Sequence, residues 1–257
     1  MSAIHSTAIV SLKAELADDV EVGPYTIVEE NVKIGSGSKV ASSALLASGA
    51  TLGSNVEVHH GAVIGTIPQD LKFGGEVTQV VIGDGTVVRE YATVNRGTKA
   101  YGTTTVGREC LLMAYSHVAH DCILGNGVIM ANAVNLAGHI EVGDYAIIGG
   151  VVPVHQFVKI GAHAMIGGGF RVQQDICPYA LVAGYPLKVT GINSVGLRRR
   201  GFSREVIKVL ESAFKLLFFS GLNTTQAVER IKSEIDLIPE VQEILDFIGK
   251  STRGIVK

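Results

Sequence analysis

The chain has 257 residues, a formal net charge of −2 and 18% charged residues. This near-neutral charge argues against nucleic acid as the main partner. The chain also lacks a stretch of 18 apolar residues, which a membrane span would require. The first residues contain no basic segment followed by an apolar core, and the three cysteines are too widely spaced for a disulfide framework. We therefore expect a cytoplasmic protein.

An aliphatic residue recurs at every sixth position from Ile4 to Ile64. The same phase resumes at Ile82 and, after a second lapse, continues from Val106 to Val172. A period of six fits neither an α-helix nor a long alternating strand, but it fits a short strand followed by a turn. Three such hexads form one coil, so residues 18 apart stack in a column. The pattern predicts a mostly β protein built as a parallel β-helix of hexapeptide repeats.

Small residues accompany each aliphatic residue of the repeat. A small or β-branched residue follows it after four positions, as Ala8 and Ala14 do, and we expect this residue to fill a corner of the coil. Glycine often comes directly after the aliphatic residue, for example at Gly35, Gly107 and Gly125, where we expect the chain to bend.

Two segments interrupt the repeat, near residues 66–81 and 99–105. Insertions in solenoids form loops on one face and often build the binding site, although they can also be plain surface loops. The first insertion contains Gln69-Asp70-Leu71-Lys72-Phe73, a mixture of charged and aromatic residues that linkers rarely have.

The repeat ends near Cys177 and Pro178. We predict a β-helix domain over residues 1–190 and a small α-helical domain over residues 191–257, which would cover the open strands at one end of the solenoid. Ser203 is placed to cap a first helix, Thr224 or Thr225 to cap a second, and Pro239 to begin a third.

Histidine is concentrated in the later coils. Five histidines fall within 47 residues, namely His117, His120, His139, His155 and His163. The hexads that begin at 118, 136 and 154 lie on neighbouring rungs, so His120, Gly138 and Gln156 should form one column. His139 and His155 flank this column, and Asp121 directly follows His120.

This column has the components of general-base catalysis. Imidazole, with a pKa of ~6.5 in water, accepts a proton near neutral pH, and the Asp121 carboxylate next to His120 would fix its tautomer. The Gly138 N–H would donate to a developing oxyanion without an obstructing side chain. Because the column has no serine or cysteine nucleophile, it favours direct attack by a substrate hydroxyl.

Two other classes of function remain open from the residues alone. Histidines on β-helix coils also form the zinc site of γ-class carbonic anhydrases, but such a site needs three suitably placed imidazoles. The neighbours of His120 in its column are Gly138 and Gln156, which are poor zinc ligands, so we predict no metal and no cofactor. The second alternative is a non-catalytic β-helix, either a scaffold or a module that binds a sugar nucleotide.

Several segments resemble the UDP-N-acetylglucosamine O-acyltransferases of lipid A biosynthesis. They are Gln69-Asp70-Leu71-Lys72, Ser116-His117-Val118-Ala119-His120-Asp121-Cys122, Leu136-Ala137-Gly138-His139, Val154-His155-Gln156-Phe157, Arg199-Arg200-Gly201-Phe202-Ser203 and Ser251-Thr252-Arg253-Gly254. The resemblance covers the whole chain. It implies a left-handed β-helix, against the usual right-handed rule for crossovers, and a homotrimer with clefts between its subunits.

The resemblance also implies substrates and roles. An (R)-3-hydroxyacyl chain would pass from acyl carrier protein to the glucosamine 3-hydroxyl of UDP-N-acetylglucosamine, the first step of lipid A biosynthesis. His120 would be the base, Asp121 would orient it and the Gly138 N–H would bind the oxyanion. The implied substrate contacts are Gln69, Asp70, Lys72, His117, His139, His155, Gln156, Gly168, Asn193, Arg199 and Arg200.

Within that set, Asp70 and Lys72 match residues that hold the sugar and its phosphates, and His139 and Gln156 match sugar and acyl contacts. Gly168 matches a position where glycine leaves the acyl cleft long, so we expect a long hydroxyacyl donor. The nucleotide and diphosphate would be bound by Asn193, Arg199 and Arg200. A local basic cluster would suit an acidic carrier protein and consists of Arg198, Arg199, Arg200, Arg204, Lys208 and Lys215.

Two residues depart from the family pattern. Asn95 occupies a position where a well-known member of the family has histidine, and Val195 occupies one where that member has glutamate. Both positions belong to the acceptor region, so a 3-amino analogue of the UDP-sugar, which would give an amide product, is an alternative acceptor.

Overall fold

The hexad repeat forms three parallel sheets in the computed structural model, which describes residues 2–257. Sheet I contains β1 (Ala3–Ile4), β4 (Glu21–Val22), β7 (Lys39–Val40), β10 (Glu57–Val58), β13 (Val87–Val88), β16 (Leu111–Leu112), β19 (Ile129–Met130), β22 (Ile147–Ile148), β25 (Met165–Ile166), β26 (Ala180–Ala183) and β27 (Lys188–Ile192). Sheet II contains β2 (Ile9–Val10), β5 (Ile27–Val28), β8 (Leu45–Leu46), β11 (Val63–Thr66), β14 (Thr93–Asn95), β17 (His117–Val118), β20 (Asn135–Leu136) and β23 (Pro153–Val154). Sheet III contains β3 (Glu15–Leu16), β6 (Lys33–Ile34), β9 (Ala50–Leu52), β12 (Gln79–Ile82), β15 (Thr103–Val106), β18 (Ile123–Leu124), β21 (Glu141–Val142) and β24 (Lys159–Ile160).

The three sheets are the sides of a left-handed parallel β-helix, as predicted. Successive coils pair in the expected register, so that Val118 lies opposite Leu136 and Leu136 opposite Val154. The aliphatic residue of each hexad points inward and forms one continuous core, in which Leu136 is 1% exposed. Each coil buries its inward apolar side chains against those of the coils above and below. A single coil could not bury them by itself.

The bend in each hexad does not occur at the glycine directly after the aliphatic residue, so that expectation was wrong. The left-handed backbone conformation occurs three residues after the inward aliphatic residue and is often adopted by larger residues, including Asp121 (φ 59°) and His139 (φ 62°). Gly35 has a different reason to be glycine, since a Cβ there would lie 2.6 Å from the Gly53 carbonyl carbon of the next coil. Glycine is therefore required at Gly35 because the next coil lies too close for a side chain.

Both insertions leave the β-helix at the same corner, where the chain passes from sheet II to sheet III. We call this the II–III corner and name the insertions loop 67–78, between β11 and β12, and loop 96–102, between β14 and β15. The predicted limits of 66–81 and 99–105 were shifted, because residues 79–81 and 103–105 already pair as strands of sheet III. The two loops therefore lie beside one another and beside the turn that contains His120.

The C-terminal part contains four helices, α1 (Ser194–Arg199), α2 (Arg204–Phe218), α3 (Thr224–Glu234) and α4 (Pro239–Lys250). Ser203 caps α2 and Pro239 begins α4, as predicted. The cap of α3 is Asn223 rather than Thr224 or Thr225, and its side chain and that of Gln226 form a reciprocal capping box.

The predicted boundary after residue 190 lies inside β27, which pairs antiparallel with β26 at the end of sheet I. The final residues return to the β-helix, where the Ser251 hydroxyl donates to the buried Asp175 carboxylate at 2.6 Å. Within residues 2–257, none of the helices has the length and apolar character that crossing a membrane requires.

Candidate active site

A groove of about 770 Å³ runs between loop 67–78 and the coils of the II–III corner. Its lining includes eight of the predicted site residues, namely Gln69, Asp70, Lys72, His117, His120, Gly138, His139 and Gln156. In the loop, the Lys72 N–H donates to the Asp70 carboxylate at 3.0 Å, which fixes a tight turn near the loop tip. The loop and the column of His120 thus form opposite walls of one open cavity.

His120 forms a hydrogen-bonded pair with Asp121. The distance between His120 Nδ1 and Asp121 Oδ2 is 2.8 Å, and the His120 side chain is 13% exposed. An ionised carboxylate can only accept hydrogen bonds, so Nδ1 carries the proton and Nε2 keeps its lone pair. The pair therefore presents one basic nitrogen at the wall of the groove.

The Asp121 carboxylate is completely buried and fully hydrogen-bonded. Oδ1 accepts from the backbone N–H groups of Thr98 (3.0 Å) and Tyr101 (3.3 Å). Oδ2 accepts from the Thr98 hydroxyl at 2.7 Å in addition to His120. Burial raises the pKa of Asp121, but hydrogen bonds from Thr98 and His120 outweigh it and hold the pKa below its usual value. Asp121 is therefore a fixed anion behind His120.

Gly138 lies against the face of the His120 ring. A Cβ at this position would be 2.5 Å from His120 Cε1 and 2.7 Å from Nε2. Within residues 2–257, no group accepts a hydrogen bond from the buried Gly138 N–H. Since buried N–H groups almost always have partners, this one is free to donate to a ligand in the groove that Gly138 lines.

Two further histidines surround the pair and are held neutral. His139 stacks on Phe157, with 4.6 Å between ring centroids, and its Nε2 is 3.8 Å from the Asp121 carboxylate. His117 Nδ1 lies 2.7 Å from the Thr93 hydroxyl. Burial lowers the pKa of both His117 and His139. Because neutral rings do not compete for the negative charge of Asp121, that charge remains directed at His120.

His120, Asp121 and His139 are also close enough to raise the question of a metal ion. The Asp121 oxygens already accept four hydrogen bonds, which use the lone pairs that a carboxylate has. A cation would have to displace Thr98, Tyr101 or His120 from this carboxylate. The donor set therefore fits a histidine–aspartate pair better than it fits a zinc site, which takes thiolate, imidazole or free carboxylate ligands.

Comparison with known proteins identifies the family. The chain is 46% identical, over the full length of both proteins, to an acyl-[acyl-carrier-protein]–UDP-N-acetylglucosamine O-acyltransferase of Thermodesulfovibrio yellowstonii. It is 43% identical to LpxA, a UDP-N-acetylglucosamine acyltransferase from Bacteroides fragilis, with a TM-score of 0.97 over 99% of this chain and 100% of that one. LpxA from Acinetobacter baumannii is 42% identical, with a TM-score of 0.95 over 99% of each chain. The chain belongs to the UDP-N-acetylglucosamine O-acyltransferase family. A family model described as domain 2 of UDP-N-acetylglucosamine O-acyltransferase matches residues 175–256.

Six predicted site residues of this acyltransferase do not line the groove, namely Asp121, which is buried behind His120, and five that lie farther away. His155 Nδ1 is 3.2 Å from the Gln156 carbonyl oxygen and does not line the groove. Gly168 follows β25, at the corner between sheets I and II. Asn193, Arg199 and Arg200 lie at the third corner, between sheets III and I.

The contacts at this III–I corner show how the three residues are held. Asn193 caps α1 through its Oδ1 and donates from Nδ2 to the His163 carbonyl oxygen at 2.9 Å. Arg199 is exposed at the end of α1. The Arg200 guanidinium carbon lies 3.9 Å from the centroid of the Tyr145 ring, in a cation–π contact. These residues are one side of the coil away from His120.

Three contributors to the acyltransferase site were missing from the sequence predictions. Thr98 and Tyr101 hold Asp121, and Phe157 supports His139. The column rule could have found Phe157, since it lies 18 residues after His139. Loop 96–102 interrupts the repeat, so no periodic signal indicated where Thr98 would point.

Proposed function

We propose that this chain transfers a 3-hydroxyacyl group from acyl carrier protein to the glucosamine 3-hydroxyl of UDP-N-acetylglucosamine. The observation that carries this proposal is the His120 ring, bonded to a buried carboxylate on one side and flanked by the free N–H of Gly138 on the other. The proposal is also supported by the names of two full-length relatives, which contain both substrates.

The reaction would need no covalent enzyme intermediate. His120 Nε2 takes the proton from the 3-hydroxyl as its oxygen attacks the thioester carbonyl carbon, and the resulting oxyanion accepts a hydrogen bond from the Gly138 N–H. The C–S bond then breaks, and the thiolate leaving group takes the proton back from His120. Asp121 stabilises the transient imidazolium and holds the neutral ring in the tautomer that has its proton on Nδ1.

The other groove residues would hold the acceptor. Asp70 and Lys72, at the tip of loop 67–78, are placed to bind the sugar and its phosphates, with Gln69 beside them. His117, His139 and Gln156 lie along the opposite wall, where the sugar and the start of the acyl chain would bind. We assign His155 a substrate contact on family resemblance alone.

We propose that the complete site forms between subunits of a homotrimer. Asn193, Arg199 and Arg200, proposed for the nucleotide and diphosphate, lie at the III–I corner, separated from His120 by one six-residue side, roughly 20 Å of chain at ~3.3 Å per residue. A neighbouring subunit that places its III–I corner against the II–III corner of the first would bring both sets together. The exposed basic residues near α1 and α2 would then lie near the entrance, where they suit an acidic carrier protein.

Gly168 bears on acyl length. It is exposed at the corner between sheets I and II, and a Cβ there would lie 3.1 Å from the Gly150 carbonyl oxygen. By the family resemblance, a glycine at this position leaves the acyl cleft long, so we propose a long 3-hydroxyacyl donor. A preference for short acyl chains with purified donors would contradict this assignment.

A 3-amino UDP-sugar remains the alternative acceptor and needs a direct comparison. Asn95 is buried, and its amide nitrogen donates to the Thr66 hydroxyl at 3.0 Å and to the Ile67 carbonyl at 3.2 Å, at the base of loop 67–78. It would therefore influence the acceptor through this loop. Val195 is half exposed on α1, near the proposed nucleotide residues.

The proposal is tested by acyl transfer from 3-hydroxyacyl carrier protein to UDP-N-acetylglucosamine and, in parallel, to its 3-amino analogue. Formation of the ester, detected by mass spectrometry, is the expected result. Faster amide formation on the analogue would move the assignment to the alternative acceptor. Tight binding of the UDP-sugar with no product from either acceptor would indicate a non-catalytic binding protein.

The shared site has its own test, in which His120→Ala and Arg200→Ala subunits are unfolded together and reassembled. In randomly mixed trimers about one site in four would combine an intact His120 with an intact Arg200 from its neighbour, so activity should reappear. If each chain held a complete site, the mixture would be no more active than the average of its two parents.

A further inference from the structure

Loop 96–102 is built around the Asp121 carboxylate. The loop closes on itself through a hydrogen bond from the Gly102 N–H to the Thr98 carbonyl oxygen at 2.7 Å. Closing the loop directs the N–H groups of Thr98 and Tyr101 at Asp121 Oδ1. The Asp121 N–H in turn donates to the Thr104 hydroxyl at 2.8 Å, just after the loop. This insertion therefore surrounds one buried anion.

The Thr98 hydroxyl has a fixed direction within this loop. Its oxygen accepts from the Ala100 N–H at 3.2 Å, so its own proton is directed to Asp121 Oδ2, 2.7 Å away. Asp121 Oδ2 is also the oxygen that accepts from His120 Nδ1. Thr98 is 7% exposed and does not line the groove, so it reaches the reaction only through Asp121.

We propose that the Thr98 hydroxyl is a positioning residue for acyl transfer, which sets the place and basicity of the Asp121 oxygen that orients His120. This inference rests on the proposed role of His120 as general base. Without the hydroxyl, Oδ2 would keep only His120 as a donor, while Oδ1 would still accept from the Thr98 and Tyr101 N–H groups. The Oδ2 side of the carboxylate could then shift by a small rotation about the Cβ–Cγ bond. The imidazole would then lose part of its fixed orientation, on which efficient proton transfer depends.

Removal of the hydroxyl also has an electrostatic consequence with a definite sign. A carboxylate that loses one donor holds more negative charge for its remaining partner, which favours the charged imidazolium of His120. The acidic limb of kcat/KM should therefore move to higher pH. The other titratable groups around the pair are His117 on the same rung, His139 on the next rung with Tyr101 against its ring, Cys122 directly after Asp121, and Asp70 and Lys72 across the groove. The side chains of these residues make no hydrogen bond to Thr98.

The test compares Thr98→Val, which removes the hydroxyl, with Thr98→Ser, which keeps it. Thr86→Val is the matched control, because Thr86 is also a buried threonine, at the III–I corner, and its hydroxyl donates to the Gly107 carbonyl at 2.8 Å. We expect Thr98→Val to lower kcat about tenfold or more, the usual effect of losing a hydrogen bond to a charged group. KM for both substrates should change by less than about twofold, and Thr98→Ser should retain most of the activity.

Thr86→Val should lose thermal stability comparable to that lost by Thr98→Val but keep the wild-type kcat and pH profile. Equal kcat values and equal acidic limbs in the two valine variants would overturn the role of Thr98. Thr98→Ala gives the same comparison if Thr98→Val does not fold.

A double variant separates this inference from the proposed function. If Thr98 acts through His120, then Thr98→Val should cause no further loss in a His120→Ala background, since coupled residues are not additive. A further tenfold loss in that background would overturn the inference and leave the role of His120 intact. Near wild-type activity in His120→Ala itself would overturn both.

Discussion

Replacement of Gly138 by alanine should disable the base without removing any functional group. The added Cβ would lie 2.5 Å from His120 Cε1, where ordinary contacts are 3.4–4 Å. The ring must therefore move by about 1 Å, and a displacement of that size in an active site can cost ~10²-fold in rate. At 1.36 kcal/mol per factor of ten, the barrier would rise by about 2.7 kcal/mol. We expect kcat to fall by about this factor, with KM for the UDP-sugar little changed.

The cause of that loss can be checked with Gly249→Ala. Gly249 is an exposed glycine in α4 whose added Cβ would have no neighbour within 4 Å, so alanine there should raise helix stability by about 1 kcal/mol and leave the rate unchanged. Gly138→Ala should lower unfolding stability only modestly, by about 1 kcal/mol, because the His120 ring can move towards the open groove. The reasoning would be refuted if Gly138→Ala kept more than half of the wild-type kcat.

Three further predictions concern the surroundings of the base. The Arg96 guanidinium donates to the Ser48 carbonyl at 3.1 Å and lies 5.7 Å from the centroid of the Phe73 ring in loop 67–78. Arg96→Leu should therefore loosen this loop and raise KM for the UDP-sugar about three- to tenfold. An unchanged KM would count against this prediction. Burial lowers the pKa of His139 in the folded protein, whereas in the unfolded chain this histidine has the ordinary pKa of ~6.5. The unfolded chain therefore binds more protons than the folded one as the pH drops from 7 to 5, and folding stability falls over that range. His139→Gln should reduce that acid-induced fall in urea unfolding, and an equal fall would contradict the burial argument. Activity should survive dialysis against a chelator, and loss of activity restored by zinc would reverse the metal argument drawn from Asp121.

Periodicity was sufficient to predict the architecture and the central column. The six-residue phase determined the inward positions, and pairing of residues 18 apart placed Gly138 one rung from His120, as the structure confirms. These features depend on backbone geometry that repeats in every coil, so the sequence pattern that indicates them recurs many times along the chain. The limits of the insertions were less accurate, because strands of sheet III begin before the aliphatic phase resumes.

Features that depend on a single non-repeating contact could not be predicted. Thr98 and Tyr101 reach Asp121 only because loop 96–102 folds back on the corner, and nothing in the spacing indicates that. The separation of His120 from Arg200 was equally hidden, since the corner that a C-terminal residue touches is determined by tertiary packing. The location of His120 and Arg200 at different corners is explained only if a second subunit brings the two corners together, as proposed.

The most direct test of the central proposal is the single-turnover rate of acyl transfer by wild type and His120→Ala at saturating UDP-sugar. General-base catalysis contributes about 10²–10⁴-fold, so the variant should be slower by at least about two orders of magnitude while keeping its affinity for the UDP-sugar and its thermal stability. A variant that kept more than about a tenth of the wild-type rate would contradict the assignment of His120 as the base.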